Sequence, residues 1–286
     1  MKDTIARARR AGIRRIIGYC FSILGITVRV TGRRIRYNYY PKNRAERRKN
    51  RKLLKQARSD LQADSGSKNP FISVRIPTYN RGTILAERTI PSVLRQTYQN
   101  FEIIVVGDHG TDSTEALLKK FNDKRIRFHN LPERGNYPAD PMDRWMVAGV
   151  DPANKGIELC SGEWIAPLDD DDEFSEDHIE VLLNYALAHD CEMVYGVVQM
   201  ETKPGQWRNL GSYPLKCGKI SHLSVLYHSK LKFLKYDINA WKYGEPADWN
   251  MWRRMKEAGV RIGFVDTIVG KHYLEGMQRR IPREGA

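Results

Sequence analysis

The sequence predicts an α/β protein whose mostly parallel sheet is flanked by helices. From residue 71 onward, short β-branched segments alternate with helical patterns. Polar clusters directly follow several of these segments, as expected where parallel strands end. Residues 1–66 lack this alternation and are strongly basic. With 286 residues, the chain can hold one large α/β domain plus an appendage.

Two β-α-β units are predicted between residues 71 and 129. Their strands carry the apolar, β-branched side chains of a sheet buried on both faces. Pro91 is expected to kink or interrupt the first helix. Such units imply parallel strands joined by right-handed crossovers. The predicted strands are 71–76, 102–106 and 125–129, and the predicted helices are 84–96 and 114–121.

A run of four carboxylates, Asp169 to Asp172, follows a short apolar segment that begins at Trp164. A helix with Ser175 as its N-cap is predicted next. Ligands bind at the carboxyl ends of strands in α/β sheets, and crowded carboxylates are stable there mainly when a hard cation neutralises them. The run therefore indicates a divalent metal site, with a solvated acidic loop as the alternative.

The charge is unevenly distributed along the chain. The formal net charge is +14, yet residues 1–60 hold 19 Lys/Arg against three Asp/Glu, which leaves the remainder close to neutral. A hydrophobic content of 41% and six Trp are typical of a globular protein and exclude a disordered chain. The four Cys lack metal-site or disulfide spacing, which predicts reduced thiols in a cytosolic setting.

The basic N-terminal segment has an apolar stripe, Ile16 to Val28, flanked by arginines. A spanning helix needs about 20 apolar residues, so this stripe is predicted to lie in a membrane interface. The continuing Arg-rich flank excludes a secretory signal peptide. A helix that packs on the main domain or on a partner protein is the alternative, and nucleic-acid binding fits the apolar stripe less well.

The domain boundary is predicted near residue 66. Residues 42–58 are nearly all polar and basic, which indicates an exposed helix or a connector, and residues 63–67 read as a linker. The predicted organisation is a basic amphipathic extension over 1–66 and a catalytic domain over 67–286.

Five short motifs follow one another in order between residues 70 and 275. They are Ile76-Pro77-Thr78-Tyr79-Asn80, the segment Gln96 to Val106, Gly110-Thr111-Asp112, the pair Ala153 to Ile157 and Ser161 to Ile165, and Leu168 to Asp172. Each motif alone is weak, but in this order and spacing they resemble the family 2 glycosyltransferases. These enzymes have a Rossmann-like GT-A fold and transfer a sugar from a nucleotide-diphosphate donor with inversion.

The resemblance implies a donor site built from two loops. Asp108 matches the second carboxylate of the family's Asp-Asp-Gly-Ser turn, which holds the nucleotide base. Here Gly107 replaces the first carboxylate and His109 stands where Gly is usual, so UDP and GDP donors both stay open. The residues implied to line the base and ribose are Pro77, Thr78 and Tyr79.

The resemblance also assigns roles within the acidic run. Asp171 matches the residue that coordinates a metal, Mn²⁺ or Mg²⁺, on the donor diphosphate, and Asp169 matches a ribose or metal-water contact. Asp172 is expected to be a bystander or support, and Asp170 is expected to be exposed to solvent. His272 is a further candidate metal ligand, although nitrogen is a second choice for Mg²⁺.

Asp248 is the candidate general base, because the acceptor hydroxyl needs one and the family's Glu-Asp pair ends at this position. Ala247 replaces the Glu of that pair. An N-cap role for Asp248 is the alternative. One base without an enzyme nucleophile implies a single in-line displacement. His222 is interpreted as a structural histidine, and the loop 131–141 as one that contacts the donor or closes over it.

The sequence thus predicts a metal-dependent inverting glycosyltransferase, peripheral to the inner face of the cell membrane, that acts on a saccharide or lipid-linked acceptor. Residues 1–60 are the predicted contact with the anionic membrane surface, and no nucleic-acid partner is expected. The alternative is a non-catalytic module that binds a sugar nucleotide or polymer and carries a basic arm for a partner protein or nucleic acid. The replacements at Gly107 and Ala247 favour that alternative.

Overall fold

A computed structural model describes residues 29–31, 34–36, 40–61, 67 and 69–274, with side chains from residue 44 onward. The predicted interfacial stripe at 16–28 and most of the predicted linker at 63–67 lie outside these residues. Within the described part, no helix has the length and apolar character needed to cross a membrane.

The core of the protein is a nine-stranded mixed sheet. Its first half is parallel, as predicted, in the order β5-β4-β3-β6. The order continues from β6 through β10 to β8, β11 and β7, and β9 pairs with β8. A separate hairpin, β1 and β2, precedes it. The strands are β1 Arg29–Thr31, β2 Arg34–Arg36, β3 Ile72–Thr78, β4 Phe101–Gly107, β5 Ile126–Asn130, β6 Trp164–Pro167, β7 Glu173–Phe174, β8 Met193–Lys203, β9 Gln206–Leu210, β10 Val225–His228 and β11 Ile262–His272.

Helices cover both faces of this sheet. Alternate residues of β4 enter two separate apolar clusters, which explains why this strand reads as a nearly continuous apolar run, whereas β3 contributes apolar side chains to one cluster only. One face packs against α6 and α8, and the other against α3 and α7. The helices are α1 Tyr40–Leu61, α2 Gly82–Ile84, α3 Ile90–Leu94, α4 Thr114–Lys119, α5 Pro141–Val147, α6 Val150–Leu159, α7 His178–Ala188 and α8 Ala247–Ala258.

The predicted first helix is divided near Pro91, as expected. A π-helical turn, Leu85–Thr89, separates α2 from α3. Pro91 lies at the start of α3, where its missing N–H and its ring disturb the helix least. The break positions Arg88 beside the acidic run, where its Nη1 donates to the Asp171 carbonyl over 2.8 Å.

Two local predictions differ from the structure. The helix after the acidic run begins at His178, not after Ser175, because Glu173 and Phe174 instead pair with β11. The segment 42–58 is helical but is not exposed all round. Leu54 is 2% exposed, and the helix packs against α8.

Candidate active site

Three parallel strands deliver polar residues to one edge of the sheet. Thr78 ends β3, Asp108 follows β4, and the acidic run follows β6. Strand register places Thr78 beside Gly107, and the Asp108 amide donates to the Thr78 carbonyl over 2.8 Å. The predicted convergence of these clusters is confirmed.

The acidic run folds inward instead of extending into solvent. Asp170 is 6% exposed, so the expectation that it is solvated is wrong. Arg81, at the end of the first loop, places Nη1 2.8 Å from Asp171 Oδ2 and 3.2 Å from Asp170 Oδ1. Asp169 is the most exposed member, with 35% of its side chain accessible.

Asp172 is fully buried and bridges two segments. Its Oδ2 accepts from His272 Nδ1 at 2.8 Å, and its Oδ1 accepts from the Tyr273 amide at 2.9 Å. This ties the acidic run to the end of β11. Asp172 therefore supports the site, as predicted, by orienting the His272 ring.

Crowding makes the electrostatics of these groups unusual. Burial raises the pKa of Asp170 to about 6 against the opposing charge of Arg81. Burial and the neighbouring Asp172 and Asp170 charges raise the pKa of Asp171 well above its usual range. Burial also raises the pKa of Asp172, although His272 opposes this. The positive charge near these three buried carboxyl groups is therefore too small to balance their negative charges.

Two groups respond in the opposite direction. For Asp169, burial raises the pKa, but the neighbouring His222, His272 and Arg75 side chains outweigh burial and lower the pKa to about 2. For His272, the Asp172 carboxylate and the charges of Asp169 and Asp171 outweigh burial and raise the pKa to about 9.

Sequence reasoning missed Arg75 and interpreted His222 as a structural histidine, yet both lie beside the acidic run. His222 Nδ1 lies 2.9 Å from Asp169 Oδ1, and Arg75 Nη2 lies 2.9 Å from the other ring nitrogen. Arg75 Nη2 also donates to the Tyr236 hydroxyl over 2.7 Å. The one available signal was Arg75 itself, a cation at the centre of a strand that is otherwise buried.

Asp248 lies in the first turn of α8, directly after Ala247. Pro246 occupies the N-cap position, and Asp248 Oδ1 accepts from the Trp249 amide at 2.7 Å. Burial raises the pKa of Asp248, while the neighbouring His222 side chain opposes the rise and the negative charge of Asp169 adds to it. The structure therefore brings Asp248 within electrostatic reach of the acidic run.

The loop 131–141 covers the predicted base-binding residues. The Gly135 amide donates to Asp108 Oδ1 over 3.0 Å, and Asp108 is 2% exposed. The Arg134 guanidinium lies 3.7 Å from the Tyr79 ring centroid. Beneath this contact, the buried Thr78 hydroxyl has no hydrogen-bond partner within the described part of the chain.

The acidic run fits a divalent cation of the Mg²⁺ or Mn²⁺ kind. Its ligand atoms are hard carboxylate oxygens, and the raised pKa of Asp171 shows that its charge is poorly compensated. Over residues 44–274, as far as described, no group of three or more His, Cys, Asp and Glu side chains forms a complete metal site. Such cations are commonly held by one or two carboxylates together with substrate phosphates.

Comparison with known proteins identifies the family. The family model "Glycosyl transferase family 2" matches residues 73–139 and 153–245, more than half of the chain. The chain belongs to glycosyl transferase family 2. The match includes Thr78, Asp108 and the whole acidic run.

Curated relatives of this family 2 chain include bacterial glycosyltransferases. Glycosyltransferase GlyG of Streptococcus pneumoniae is 34% identical over 128 residues, which cover 44% of this chain and 38% of that protein. The poly(ribitol-phosphate) beta-N-acetylglucosaminyltransferase TarP of Staphylococcus aureus is 31% identical over 162 residues, covering 55% of this chain and 45% of that protein. The chain spans less than half the length of these two relatives.

Solved structures share the fold at low identity. S. aureus TarS 1–349 in complex with UDP matches with a TM-score of 0.56 and 16% identity over 73% of this chain and 62% of that chain. The mannosyltransferase PcManGT from Pyrobaculum calidifontis, in complex with GDP-Man and Mn²⁺, matches with a TM-score of 0.54 and 14% identity over 81% of this chain and 66% of that chain. The predicted GT-A fold is confirmed.

Proposed function

We propose that this family 2 chain is a metal-dependent inverting glycosyltransferase that moves a sugar from a nucleotide-diphosphate donor to a saccharide or lipid-linked acceptor. Family membership supports the reaction class. The observation that carries the proposal is the position of the His222 ring between the acidic run and α8. Its Nδ1 lies 2.9 Å from Asp169 Oδ1, and its centroid lies 6.4 Å from that of Trp252, which is one helical turn after Asp248.

Asp248 is the proposed general base. A carboxylate whose pKa is raised by burial accepts a proton more readily. In this position Asp248 accepts the proton of the acceptor hydroxyl as that oxygen attacks the anomeric carbon. The nucleotide diphosphate leaves from the opposite face, so the configuration inverts.

Donor binding is proposed to use the loops that end β3 and β4. Tyr79 offers a partly exposed ring, and the Thr78 hydroxyl beside it lacks a partner among the described residues. Asp108, with Pro77, completes the proposed base and ribose contacts once the loop 131–141 admits the donor. TarS was solved with UDP and UDP-GlcNAc, and PcManGT with GDP-Man, so both bases stay candidates here.

Asp171 and Asp169 are the proposed ligands of Mn²⁺ or Mg²⁺. Such an ion, when bound, stabilises as a Lewis acid the negative charge that develops on the diphosphate. His272 is a further candidate ligand, because Asp172 accepts its Nδ1–H and leaves Nε2 for an ion. Arg81 must then share Asp171 with the ion or move away from it.

Replacement of Asp248 by Asn tests this function. The amide keeps the shape of the side chain but cannot take up a proton, so turnover should fall by about 100- to 10,000-fold. Transfer and donor hydrolysis are measured with UDP- and GDP-linked sugars, with and without Mn²⁺. Nucleotide affinity and melting temperature should change little.

Asp266→Asn is the matched control, because Asp266 is exposed on β11. Near-full turnover in Asp248→Asn would refute the base assignment. Nucleotide binding by the unmodified protein without transfer or hydrolysis would instead favour the non-catalytic binding module.

The basic extension is proposed to contact an anionic membrane surface through residues 1–60. In α1, one stripe packs on the catalytic body, where Arg58 binds Glu192 and Leu54 is buried. The opposite stripe, spaced as one helical face, is exposed and cationic: Arg48, Lys52 and Lys55. Basic side chains near anionic lipid contribute about 1 kcal/mol each.

The triple replacement of Arg48, Lys52 and Lys55 by Gln tests the membrane contact. Partition onto phosphatidylglycerol vesicles should weaken about 100-fold, while binding to phosphatidylcholine vesicles should stay unchanged. A triple Gln variant of Lys119, Lys120 and Lys124, which are also exposed, controls for net charge. Equal weakening in both variants would refute a specific role for α1.

A further inference from the structure

Arg75 is a buried cation on the face of β3 opposite its apolar residues Ile72, Val74 and Ile76. It is 0% exposed, and its Cγ and Cδ lie against Gly156, where an added Cβ would come within 2.5 Å of Cγ. Only its Nη2 finds partners, while the buried Nε and Nη1 have none among the described residues. Burial of a guanidinium with unpaired N–H groups costs free energy, so packing alone does not account for this residue.

The contact between Arg75 and His222 determines where the imidazole proton lies. A guanidinium only donates hydrogen bonds, so His222 Nε2 accepts from Arg75 Nη2 over 2.9 Å, and the Tyr236 hydroxyl lies 2.9 Å from the same nitrogen. A ring that carries a single proton and accepts at Nε2 has that proton on Nδ1. Nδ1 lies 2.9 Å from Asp169 Oδ1, a close polar contact without the alignment of a hydrogen bond.

We propose that Arg75 and His222 are positioning residues for the donor-side carboxylate Asp169, with Arg75 acting through the His222 ring. Arg75 and the Tyr236 hydroxyl fix Nε2 of the ring, and the fixed ring keeps Nδ1 beside one carboxylate oxygen of Asp169. Asp169 needs this support because it is the most exposed member of the acidic run, whereas Asp170 and Asp171 are buried and contact Arg81.

This proposal rests on the proposed donor role of Asp169 and adds residues to it. The polar chain runs from the centre of β3 to the end of β6, between strands that are parallel neighbours. It therefore links the rigid sheet to the loop that receives the donor. Loss of such a support typically costs 10- to 100-fold in ligand affinity or activity.

The test compares two replacements of His222. In His222→Asn, the side-chain amide can still donate from near the place of Nδ1, whereas His222→Leu removes the donor. Binding of UDP and of GDP is measured by calorimetry with Mn²⁺ present. We expect affinity close to that of the unmodified protein for His222→Asn and a loss of about 10- to 100-fold for His222→Leu.

A double-mutant cycle then tests whether Arg75 acts through the ring. Arg75→Met alone should weaken nucleotide binding about tenfold or more, but should add little in the His222→Leu background. Independent, additive losses would overturn the proposed path. Should Arg75→Met fail to fold by circular dichroism, the two His222 variants still decide the role of the ring.

Two failures can be distinguished. If the unmodified protein binds neither nucleotide, the proposed function is wrong. If it binds one of them and His222→Leu binds equally well, Asp169 does not depend on His222 and this inference is wrong.

Discussion

The acidic run after β6 and the basic helix α1 are both dense in charge, but they place that charge in opposite environments. Asp170, Asp171 and Asp172 are each less than a tenth exposed. The described ion pairs of Asp171 and Asp172 are with Arg81 and His272. The outward cations of α1, such as Arg48 and Lys52, are exposed. Both segments would be classed simply as charge runs by composition.

The comparison shows that burial, and not the number of charges, distinguishes the candidate active site from α1. Water solvates the exposed cations of α1, so they can attract a distant anionic surface without strain. Water cannot solvate the buried aspartates equally well, and their mutual repulsion raises the pKa of Asp171. A cation or a substrate with bound cation relieves that repulsion directly.

Replacement of Asp171 by Asn should have the largest effect on turnover. We expect a loss of about a thousandfold or more, because the side chain no longer carries the charge that holds the ion on the diphosphate. Initial rates are measured over a range of Mn²⁺ concentrations.

Glu176→Gln serves as the matched control for this change, since Glu176 is an exposed carboxylate between β7 and α7. Its turnover should stay unchanged. Full Mn²⁺-dependent turnover in Asp171→Asn would mean that the buried run is structural and would remove the contrast with α1.

Replacement of Glu192 by Gln should have the next largest effect, on stability. Glu192 is buried and binds Arg58 of α1 through two hydrogen bonds of 2.8 and 2.7 Å. Arg58, with Arg261 and Lys230, outweighs burial and lowers the pKa of Glu192 to about 2. Loss of this charge should lower the free energy of unfolding by about 2–3 kcal/mol at neutral pH.

The pH dependence of this effect follows from the direction of the shift. A carboxyl group with a lowered folded-state pKa stabilises the protein above its unfolded pKa, and the contribution disappears as pH falls toward about 2. In urea unfolding, the difference between Glu192→Gln and the unmodified protein should shrink to less than half by about pH 3. A difference that does not change with pH would contradict the assignment.

The triple Gln replacement on the outer stripe of α1 should have the smallest effect on stability. Because Arg48, Lys52 and Lys55 are exposed, the free energy of unfolding should change by less than about 0.5 kcal/mol. Thermal unfolding checks this in the same samples that are used for vesicle binding. A marked destabilisation would show that the outer stripe supports the fold, against its exposed placement.

Much of the fold could be predicted because local sequence and tertiary position agree. Apolar runs such as Ile103 to Val106 are buried on both sheet faces, so their pattern survives in the structure. The predicted N-cap at Ser175 was wrong because pairing of β7 with β11, a contact about a hundred residues away in sequence, took precedence over local capping preference.

The candidate site could be predicted only in part. Thr78, Asp108 and Asp169 converge because parallel strands end at one edge, which the β-α-β pattern already implies. The burial of Asp170 could not be predicted, because it depends on Arg81 reaching across from another loop. The role of His222 depends on its contact with Arg75, 147 positions away.

The sequence by itself determined the alternation of strands and helices, the family, and the order of the polar clusters, because short-range periodicity and motif order are local properties. Only the tertiary structure decided which charges are buried, which carboxylate has His222 or His272 beside it, and which stripe of α1 faces water. The physical reason is that solvation and Coulomb interactions depend on distances through space, and the sequence does not state those distances.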